Sequence, residues 1–400
     1  MSTRETGTAA IDFDAPPVDF ARLHHDRVAK LRGAMQANGV DSLVLLGQSN
    51  VVYATGARAP AADSSLAAHR RMVAIVEAGD ASPHLYTSFP DGVPGDLPVD
   101  HVHDGLLVET DAGAAELVVR WPRGRVALDE YTMPLLRALD GREVLDATAV
   151  TSAAKIVKTA DEIALIRTAE LLNEAAMRDV EPLVQPGVHA TELSGRFLRR
   201  IFELGATANT VDPIFQLMPH SIDDGPYSAT GDLVFPTVTR DVVLQRGDVV
   251  WVDTGINYHG YASDFGRTWI VGQEPTARQR DQFARWREVI TRVSDVVRPG
   301  ASAADLVRAA GEVYGRRPWP AHLYLGHGIG TDSAEMPLVG TDLGLDFDET
   351  LVLAAGMIVV LEPIAWEDGH GGFRAEEILA VTDDGCEPLT HYHYWPFETS

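Results

Sequence analysis

The sequence predicts an α/β domain followed by an α+β domain built from antiparallel hairpins. Two observations support this fold class. Residues 18–152 alternate short apolar runs with helical or turn-forming stretches, which is typical of an α/β domain. From residue 153, a long amphipathic helix pattern is followed by apolar runs joined through Gly-rich turns, and such runs favour antiparallel strands. A chain of 400 residues, 45% of them hydrophobic, can bury the cores of two domains.

The first domain is predicted to open with a helix and to continue with short strands. Residues 1–17 are polar and end with Pro16 and Pro17, so we predict a disordered tail. A helix is predicted over Phe20–Asn38, with Gly39 as its stop signal. The apolar runs that follow are expected to be strands, at 42–46, 72–77, 83–88 and 125–129. Polar residues are scattered in this domain, and we predict packing roles for them rather than chemistry.

The second domain is predicted to begin at residue 153 and contains a weak internal repeat. A long helix is expected near its start, because apolar residues recur at helical spacing, at Ile163, Ile166, Ala169, Leu172 and Ala176. The repeat consists of residues 185–193 (QPGVHATEL) and 298–306 (RPGASAADL). Each copy pairs a Pro-Gly stop with a new helix start, and Ser302 with Asp305 forms a plausible capping pair.

Acidic residues within apolar strands are the strongest functional signal in the sequence. The runs 249–253 and 261–271 are predicted to pair as a hairpin, and they contain Asp253 and Asp264. A strand rich in Val and Trp is expected in the core, where an unpaired carboxylate costs on the order of several kcal/mol. A bound cation would compensate for that charge.

The same arrangement recurs near the C-terminus. Residues 357–382 place Glu362 at the end of an apolar strand and Glu376 in the next, with a Gly-rich turn between them. Between the two hairpins, His327 lies in the run LGHGIG, whose glycines allow a close approach of the backbone. Carboxylates with one imidazole suit hard to borderline divalent ions, and bridging carboxylates hold two ions about 3.5–4 Å apart. We therefore predict two divalent ions, Mn2+ first, with Co2+, Zn2+ or Fe2+ as alternatives.

The order Asp, Asp, His, Glu, Glu, within the motifs DTG, SDFGRT, GHGIG, LEP and RAEE, resembles that of the pita-bread metallohydrolases. This family includes aminopeptidase P, prolidase and methionine aminopeptidase, with creatinase as a metal-free relative. The resemblance extends over the chain from about residue 20. It implies a creatinase-like α/β domain at 18–152 and a pita-bread catalytic domain at 153–400, whose two halves are related by a pseudo-twofold axis.

The resemblance also implies roles for individual residues. Asp253, Asp264, His327, Glu362 and Glu376 are the expected metal ligands. Glu362 would in addition take a proton from the bridging water and deliver it to the leaving group. Arg374, in the RAEE motif, is expected to neutralise a carboxylate just outside the ligand set.

Two positions depart from the family pattern. Members specific for proline carry a histidine seven residues after the metal histidine, where this chain has Ala334. A second family histidine would fall near Phe235 and Pro236 and is also absent. Such imidazoles hold the substrate and stabilise the oxyanion, and losing one donor can cost on the order of 10²–10³ in rate. His220 is the candidate catalytic substitute, and an exposed loop histidine is the alternative interpretation.

The resemblance predicts a dinuclear hydrolase of the Xaa-Pro dipeptidase or aminopeptidase P type, in which a metal-bound hydroxide attacks a small amide or Xaa-Pro peptide bond. Because the two histidines are absent, the alternative is an enzyme of the same fold that acts on a non-peptide small molecule, as a lyase or as an amide or ring hydrolase. A non-catalytic binding protein is disfavoured, since such a protein has no reason to keep all five ligands.

Composition excludes several other classes of partner. A formal net charge of −25 argues against nucleic acid, which is bound by clustered Lys and Arg. No run approaches the roughly 20 apolar residues of a membrane helix, and the N-terminus lacks the apolar core of a signal peptide, so we expect a cytoplasmic protein. Cys386 is the single cysteine, which excludes an intramolecular disulfide. We expect a small molecule or short peptide as substrate and, from the resemblance, a homodimer.

Overall fold

The computed structural model describes residues 17–60, 71–221, 239–314 and 325–398. The chain divides into one compact unit at Val18–Asp161 and a second that contains Glu162–Ser400. The predicted tail lies outside the described residues, apart from Pro17. Helix α5 (Thr148–Lys155) packs against α1 (Phe20–Asn38), and the predicted boundary between residues 152 and 153 falls within α5.

The first unit is a mixed sheet with helices on both faces. The predicted helix at Phe20–Asn38 is confirmed, and Gly39 ends it in the left-handed conformation, with φ 62°. The sheet order is β4-β3-β2-β1-β5-β6. The strands are Ser42–Leu45 (β1), Val73–Glu77 (β2), His84–Thr87 (β3), Val102–Asp104 (β4), Val126–Leu128 (β5) and Leu145–Asp146 (β6). The remaining helices are Gln48–Thr55 (α2), Asp111–Val119 (α3) and Met133–Ala138 (α4).

Alternation along β1 explains why both faces of this sheet are covered. Successive side chains of a strand point to opposite faces. Leu43 and Leu45 accordingly join the core formed with α1, α2 and α5, whereas Val44 joins the core formed with α3 and α4. The predicted α/β class of this domain is therefore confirmed.

The second unit combines five helices with short antiparallel strands in the part that the structure describes. The helices are Ala160–Val180 (α6, which begins in the first unit), Ala190–Glu203 (α7), Ala277–Ser294 (α8), Ala303–Tyr314 (α9) and Leu345–Thr350 (α10). The strands of its first half are Ala208–Asn209 (β7), Ile214–Leu217 (β8), Val249–Thr254 (β9), Ile256–Tyr258 (β10), Tyr261–Ala262 (β11) and Phe265–Ile270 (β12). Those of its second half are Gly326–Gly328 (β13), Glu335–Val339 (β14), Ile358–Leu361 (β15), Ile364–Glu367 (β16), Gly371–Arg374 (β17), Glu377–Val381 (β18) and Cys386–Pro388 (β19).

The internal repeat corresponds to equivalent hydrogen bonds in the two halves. The Gly187 N–H donates to the Leu244 carbonyl at 2.8 Å before α7, and the Gly300 N–H donates to the Leu353 carbonyl at 2.9 Å before α9. The strand orders also match, since β12-β9-β8 in the first half corresponds to β18-β15-β13 in the second. The predicted capping pair is confirmed: the Ser302 N–H donates to Asp305 and the Asp305 N–H donates to the Ser302 hydroxyl.

Each predicted hairpin is interrupted by short strands that belong to a different sheet. β9 pairs with β12, but the chain between them forms β10 and β11, which join β7 in another sheet. Likewise, β15 pairs with β18, while β16 and β17 form a separate two-stranded sheet. Pro363 lies at the second break and has no N–H to donate to a ladder. Within the described ranges, none of the helices has both the length and the apolar character needed to cross a bilayer.

Candidate metal centre

Three carboxylates from the two halves lie close together. Asp253, Asp264 and Glu376 each offer an oxygen, and these oxygens all lie within 4.8 Å of one another. Asp253 is opposite Gly266 in the β9–β12 ladder, and the Glu376 N–H donates to the Gly266 carbonyl at 3.1 Å. The two halves therefore meet at Gly266, which brings the acidic residues of both into one cluster.

His327 and Glu362 complete this cluster. His327 is opposite Val360 in the β13–β15 ladder, so its ring lies beside the end of β15, where Glu362 follows. The His327 Nε2 atom is 3.4 Å from an oxygen of Asp264 and 3.4 Å from an oxygen of Glu362. Its Nδ1 atom is 2.9 Å from the Gly328 carbonyl, which can only accept, so Nδ1 carries the proton and Nε2 faces the carboxylates.

Arg374 contacts three of the four carboxylates directly. Its Nη1 atom is 3.1 Å from Asp253, and its Nη2 atom is 2.8 Å from Glu376 and donates a short hydrogen bond to Glu362. The guanidinium also lies over the Trp251 ring, at 4.9 Å from the ring centre. The expectation that Arg374 neutralises a carboxylate outside the ligand set therefore needs correction, because β17 places it against the predicted ligands themselves.

Burial and mutual repulsion favour protons on two of the acids. Burial, together with the charges of Asp264 and Glu362, outweighs the opposing charge of Arg374 and raises the pKa of Asp253 to about 7. Burial, followed by the charges of Asp264 and Asp253, raises the pKa of Glu376 well above its ordinary value. One guanidinium thus does not balance the negative charge of the cluster.

The pKa values of Glu362 and His327 both shift toward the charged form, because each side chain faces a group of opposite charge. Burial alone would raise the pKa of Glu362, but Arg374 and His327 outweigh it and lower that pKa to about 2. Burial alone would lower the pKa of His327, but the carboxylates of Asp264 and Glu362 outweigh it and raise that pKa well above its usual range. Arg374 and His327 therefore keep Glu362 in its ionised form.

The cluster fits divalent cations. The Oε2 atom of Glu376 is buried and accepts no hydrogen bond from the residues that the structure describes. A buried carboxylate oxygen without a donor is costly, and a cation among three convergent carboxylates would remove that cost. Carboxylates with a single imidazole match Mn2+, Co2+, Zn2+ or Fe2+ in ligand type. The five predicted ligands lie together, and their role as ligands remains a prediction.

Arg267 holds the two halves together behind the cluster, and the sequence analysis missed it. Its guanidinium is buried, and Nη1 donates to the carbonyls of Gly266 at 2.8 Å and Glu376 at 2.7 Å. Nη2 donates to the Tyr392 carbonyl at 3.0 Å, which ties in the C-terminal segment. A strand arginine is usually exposed, and only its place between Gly266 and Thr268 in the SDFGRT motif could have indicated this role.

Helix α6 positions the chain that carries the two aspartates. Glu170 accepts a 2.7 Å hydrogen bond from the Asp264 N–H. Asn173 donates at 2.9 Å both to the Thr254 carbonyl and to the Ser263 hydroxyl. Glu170 and Asn173 share the buried face of α6 with the apolar residues that predicted the helix, and polar residues at those positions were the available signal.

The other predicted site positions lie at the periphery or outside the described residues. His220 follows β8 and is exposed, and its carbonyl accepts a hydrogen bond from the Gly371 N–H at 3.3 Å. Its catalytic role remains a prediction. Ala334 is exposed and immediately precedes β14. Phe235 and Pro236 lie outside the described residues.

Comparison with protein families agrees with this architecture. Residues 164–383 match the model of metallopeptidase family M24, and residues 27–163 match that of the creatinase/prolidase N-terminal domain. This chain belongs to metallopeptidase family M24. The resemblance inferred from the five-residue pattern is thereby confirmed, and family M24 implies divalent metal ions.

Known relatives of this M24 chain include proteins named as dipeptidases. It is 30% identical over 245 residues to an Xaa-Pro dipeptidase of Pyrococcus furiosus, a match that spans 59% of this chain and 63% of the relative, which is less than two thirds of its length. An uncharacterized peptidase of Bacillus subtilis is 23% identical over 387 residues, covering 91% of this chain and 98% of that protein.

Solved structures share the whole fold of this M24 chain. A prolidase from Thermococcus sibiricus superposes with a TM-score of 0.75 at 20% identity, covering 95% of this chain and 99% of that one. The prolidase of Pyrococcus horikoshii OT3 gives a TM-score of 0.73 at 22% identity, covering 92% and 99%. The predicted fold, a creatinase-like domain followed by a pita-bread domain, is confirmed.

Replacing Asp264 with Asn should remove at least one metal ion per chain. The amide keeps the shape of the side chain but loses the charge that attracts a cation, and it relieves repulsion with Asp253 and Glu376. Metal content after dialysis, measured by elemental analysis, checks this expectation, and a thermal melt shows whether the fold persists. Asp281→Asn, on the exposed face of α8, is the matched control. Full occupancy in a folded Asp264→Asn variant would contradict the ligand assignment.

Replacing Gly266 with Ala should weaken metal binding without removing any ligand. A Cβ atom at Gly266 would lie 2.6 Å from the carboxyl carbon of Glu376, so this side chain must move. Mutation of a residue that supports a metal ligand, as Gly266 supports Glu376, commonly costs about 10–100-fold in metal affinity. Titration of the metal-free protein with Mn2+ measures the loss. Gly311→Ala on α9, where a Cβ meets nothing within 4 Å, should leave metal affinity unchanged; an equal effect at both positions would refute the explanation.

Proposed function

We propose that this chain is a metal-dependent peptidase that cleaves the Xaa-Pro bond of dipeptides or other short peptides with the help of two divalent ions, Mn2+ being the first candidate. The observation that carries the proposal is the convergence of Asp253, Asp264 and Glu376 within 4.8 Å, with His327 and Glu362 beside them. The relatives named Xaa-Pro dipeptidase and prolidase support the choice of substrate.

The cluster supplies the donors that such ions require. Asp253, Asp264 and Glu376 would hold the ions, and His327 and Glu362 would complete their coordination. When bound, divalent ions lower the pKa of water and polarise a carbonyl oxygen. Arg374 fixes three of these carboxylates through its own contacts, which limits the rearrangement needed before the reaction.

Glu362 is suited to moving the proton. Arg374 holds one of its oxygens, and the other faces Nε2 of His327 at 3.4 Å. Both neighbours favour the ionised form, in which Glu362 can accept a proton from the attacking water. As the C–N bond breaks, the same carboxyl can give that proton to the leaving nitrogen, so the water oxygen ends on the carbonyl carbon and Glu362 returns to its charged form.

A second candidate, action on a non-peptide small molecule, is favoured by one specific feature. Ala334 occupies the position at which the resemblance implies an imidazole in proline-specific members. A methyl group offers no hydrogen bond to a peptide or to an oxyanion, and the loss of one such donor can cost on the order of 10²–10³ in rate. Small amides or cyclic compounds require fewer contacts, so they are the substrates to compare.

Assays with defined peptides test the proposal. The metal-free protein should hydrolyse Ala-Pro, Gly-Pro or a Xaa-Pro tripeptide after Mn2+ or Co2+ is added, and not before. The Asp264→Asn variant and the metal salt alone serve as controls. If peptide turnover never exceeds that of the salt while small amides are hydrolysed, the non-peptide candidate replaces the peptidase. If a metal-loaded, folded protein turns over neither class, both candidates fail.

Replacing Glu362 with Gln should lower kcat by about 10²–10⁴-fold, the usual contribution of general acid–base catalysis. The amide keeps an oxygen near His327 but cannot take up the proton. Metal content measured on the same preparation separates this effect from loss of an ion. Glu367→Gln is the matched control, because Glu367 pairs with Arg278 and Arg285 instead of the cluster. Wild-type kcat in a metal-loaded Glu362→Gln variant would reject the shuttle.

A further inference from the structure

We propose that His84 and His103, in the first unit, form a two-imidazole site for a late first-row divalent ion such as Cu2+ or Ni2+, separate from the carboxylate cluster. The Nδ1 atom of His84 lies 2.9 Å from the Nε2 atom of His103. The two residues lie on adjacent parallel strands, His84 at the start of β3 and His103 on β4, the edge strand of the sheet. The site is therefore held by the ladder and not by a loop.

Asp80 orients the first imidazole. Its carboxylate lies 3.4 Å from Nε2 of His84, which favours a proton on that nitrogen. The Nδ1 atom of His84 then has its lone pair directed toward His103. A carboxylate behind the distal nitrogen of a histidine is the usual arrangement at metal sites, where it fixes the tautomer and makes the imidazole a stronger donor.

Neighbouring rings restrict the movement of both imidazoles. The His101 ring stacks on that of His84, with centroids 4.1 Å apart, and the Tyr86 ring stacks on that of His103 at 4.7 Å. His101 is itself fixed, since its Nδ1 atom is 3.1 Å from the Ser82 carbonyl. Ring positions fixed before an ion arrives reduce the entropy that binding must overcome.

The surroundings favour the neutral, metal-binding form of the second imidazole. Burial lowers the pKa of His103, and the nearby rings of His84 and His101 lower it further. Only a neutral imidazole has a lone pair for a cation, so less competition from protons is expected near neutral pH. His84 remains 27% exposed, which leaves a path for an ion from solvent.

The donor type, two imidazole nitrogens, indicates the class of ion. Their 2.9 Å separation is that of a hydrogen bond, and it is also close to the spacing of two ligands that meet at a right angle with metal–nitrogen bonds of about 2.0–2.1 Å. Right angles with nitrogen ligands are typical of Cu2+ and Ni2+, and Cu2+ binds such donors most tightly. Binding would release the proton from Nε2 of His103, with Nδ1 of the same ring protonated from solvent, and would replace the hydrogen bond between the rings with two metal–nitrogen bonds after a small rotation of each ring.

Cu2+ titration of the full-length protein, followed by electron paramagnetic resonance, tests the site. The wild type should bind one more Cu2+ per chain than His103→Gln, and the difference spectrum should show coupling to two nitrogens. The carboxylate cluster contains one imidazole, so it cannot give that signal by itself. Asp80→Asn should weaken this Cu2+ site about tenfold or more. His25→Ala, whose side chain is 81% exposed, should change nothing.

Two results would overturn the proposal. One is an equal Cu2+ stoichiometry in wild type and His103→Gln, with both folded by circular dichroism. The other is a difference spectrum with one coupled nitrogen or none. His84→Gln provides an independent second variant and should give the same loss. Metal-dependent hydrolysis with Mn2+ should be unchanged in all these variants, so failure of the histidine site is distinguishable from failure of the proposed function.

Discussion

The structure of the second unit depends on charge compensation between one buried guanidinium and a set of buried carboxylates. Arg374 contacts Asp253, Glu362 and Glu376, yet it brings one positive charge to a cluster that contains four acids. Removing Arg374 would leave buried carboxylates uncompensated, which typically costs about 3–5 kcal/mol. The folded chain therefore holds these groups together at a cost that divalent cations can offset. This is a physical reason for acidic side chains to persist in the interior of such a fold, with Asp253 in β9 and Asp264, Glu362 and Glu376 directly beside strand ends.

The charge pattern in the sequence was sufficient to find the cluster, but not the groups that support it. Acidic residues inside apolar runs contradict the expectation that core segments are apolar. Sequence analysis detects such contradictions best. No comparable pattern in the sequence indicates the roles of Arg267 and Glu170. Their roles arise from contacts between residues that are distant in sequence, of Arg267 with the Glu376 carbonyl and of Glu170 with the Asp264 N–H. The exact strand breaks were missed for a similar reason, since pairing partners and not local propensity decide where a strand ends.

The histidines of the first unit show a further limit of prediction from a single sequence. His84 and His103 are separated in sequence by a connection that includes no recognised ligand motif. They meet because β3 and β4 are neighbours, with Tyr86 opposite His103 in the ladder. Scattered polar residues therefore predicted only packing roles in this domain. Strand order, which a single sequence does not specify, is what turns them into a cluster.

The equivalence of the two halves has a consequence for the centre between them. His327 is opposite Val360, two positions before Glu362, and Gln216 is opposite Trp251, two positions before Asp253. The first half thus has Gln216 at the ladder position that corresponds to His327 in the second half. A carboxamide cannot be titrated and is a much weaker donor to a transition metal. Although the strand orders of the two halves correspond, the two proposed ions would meet unequal donors, and one position would be filled at lower concentration than the other.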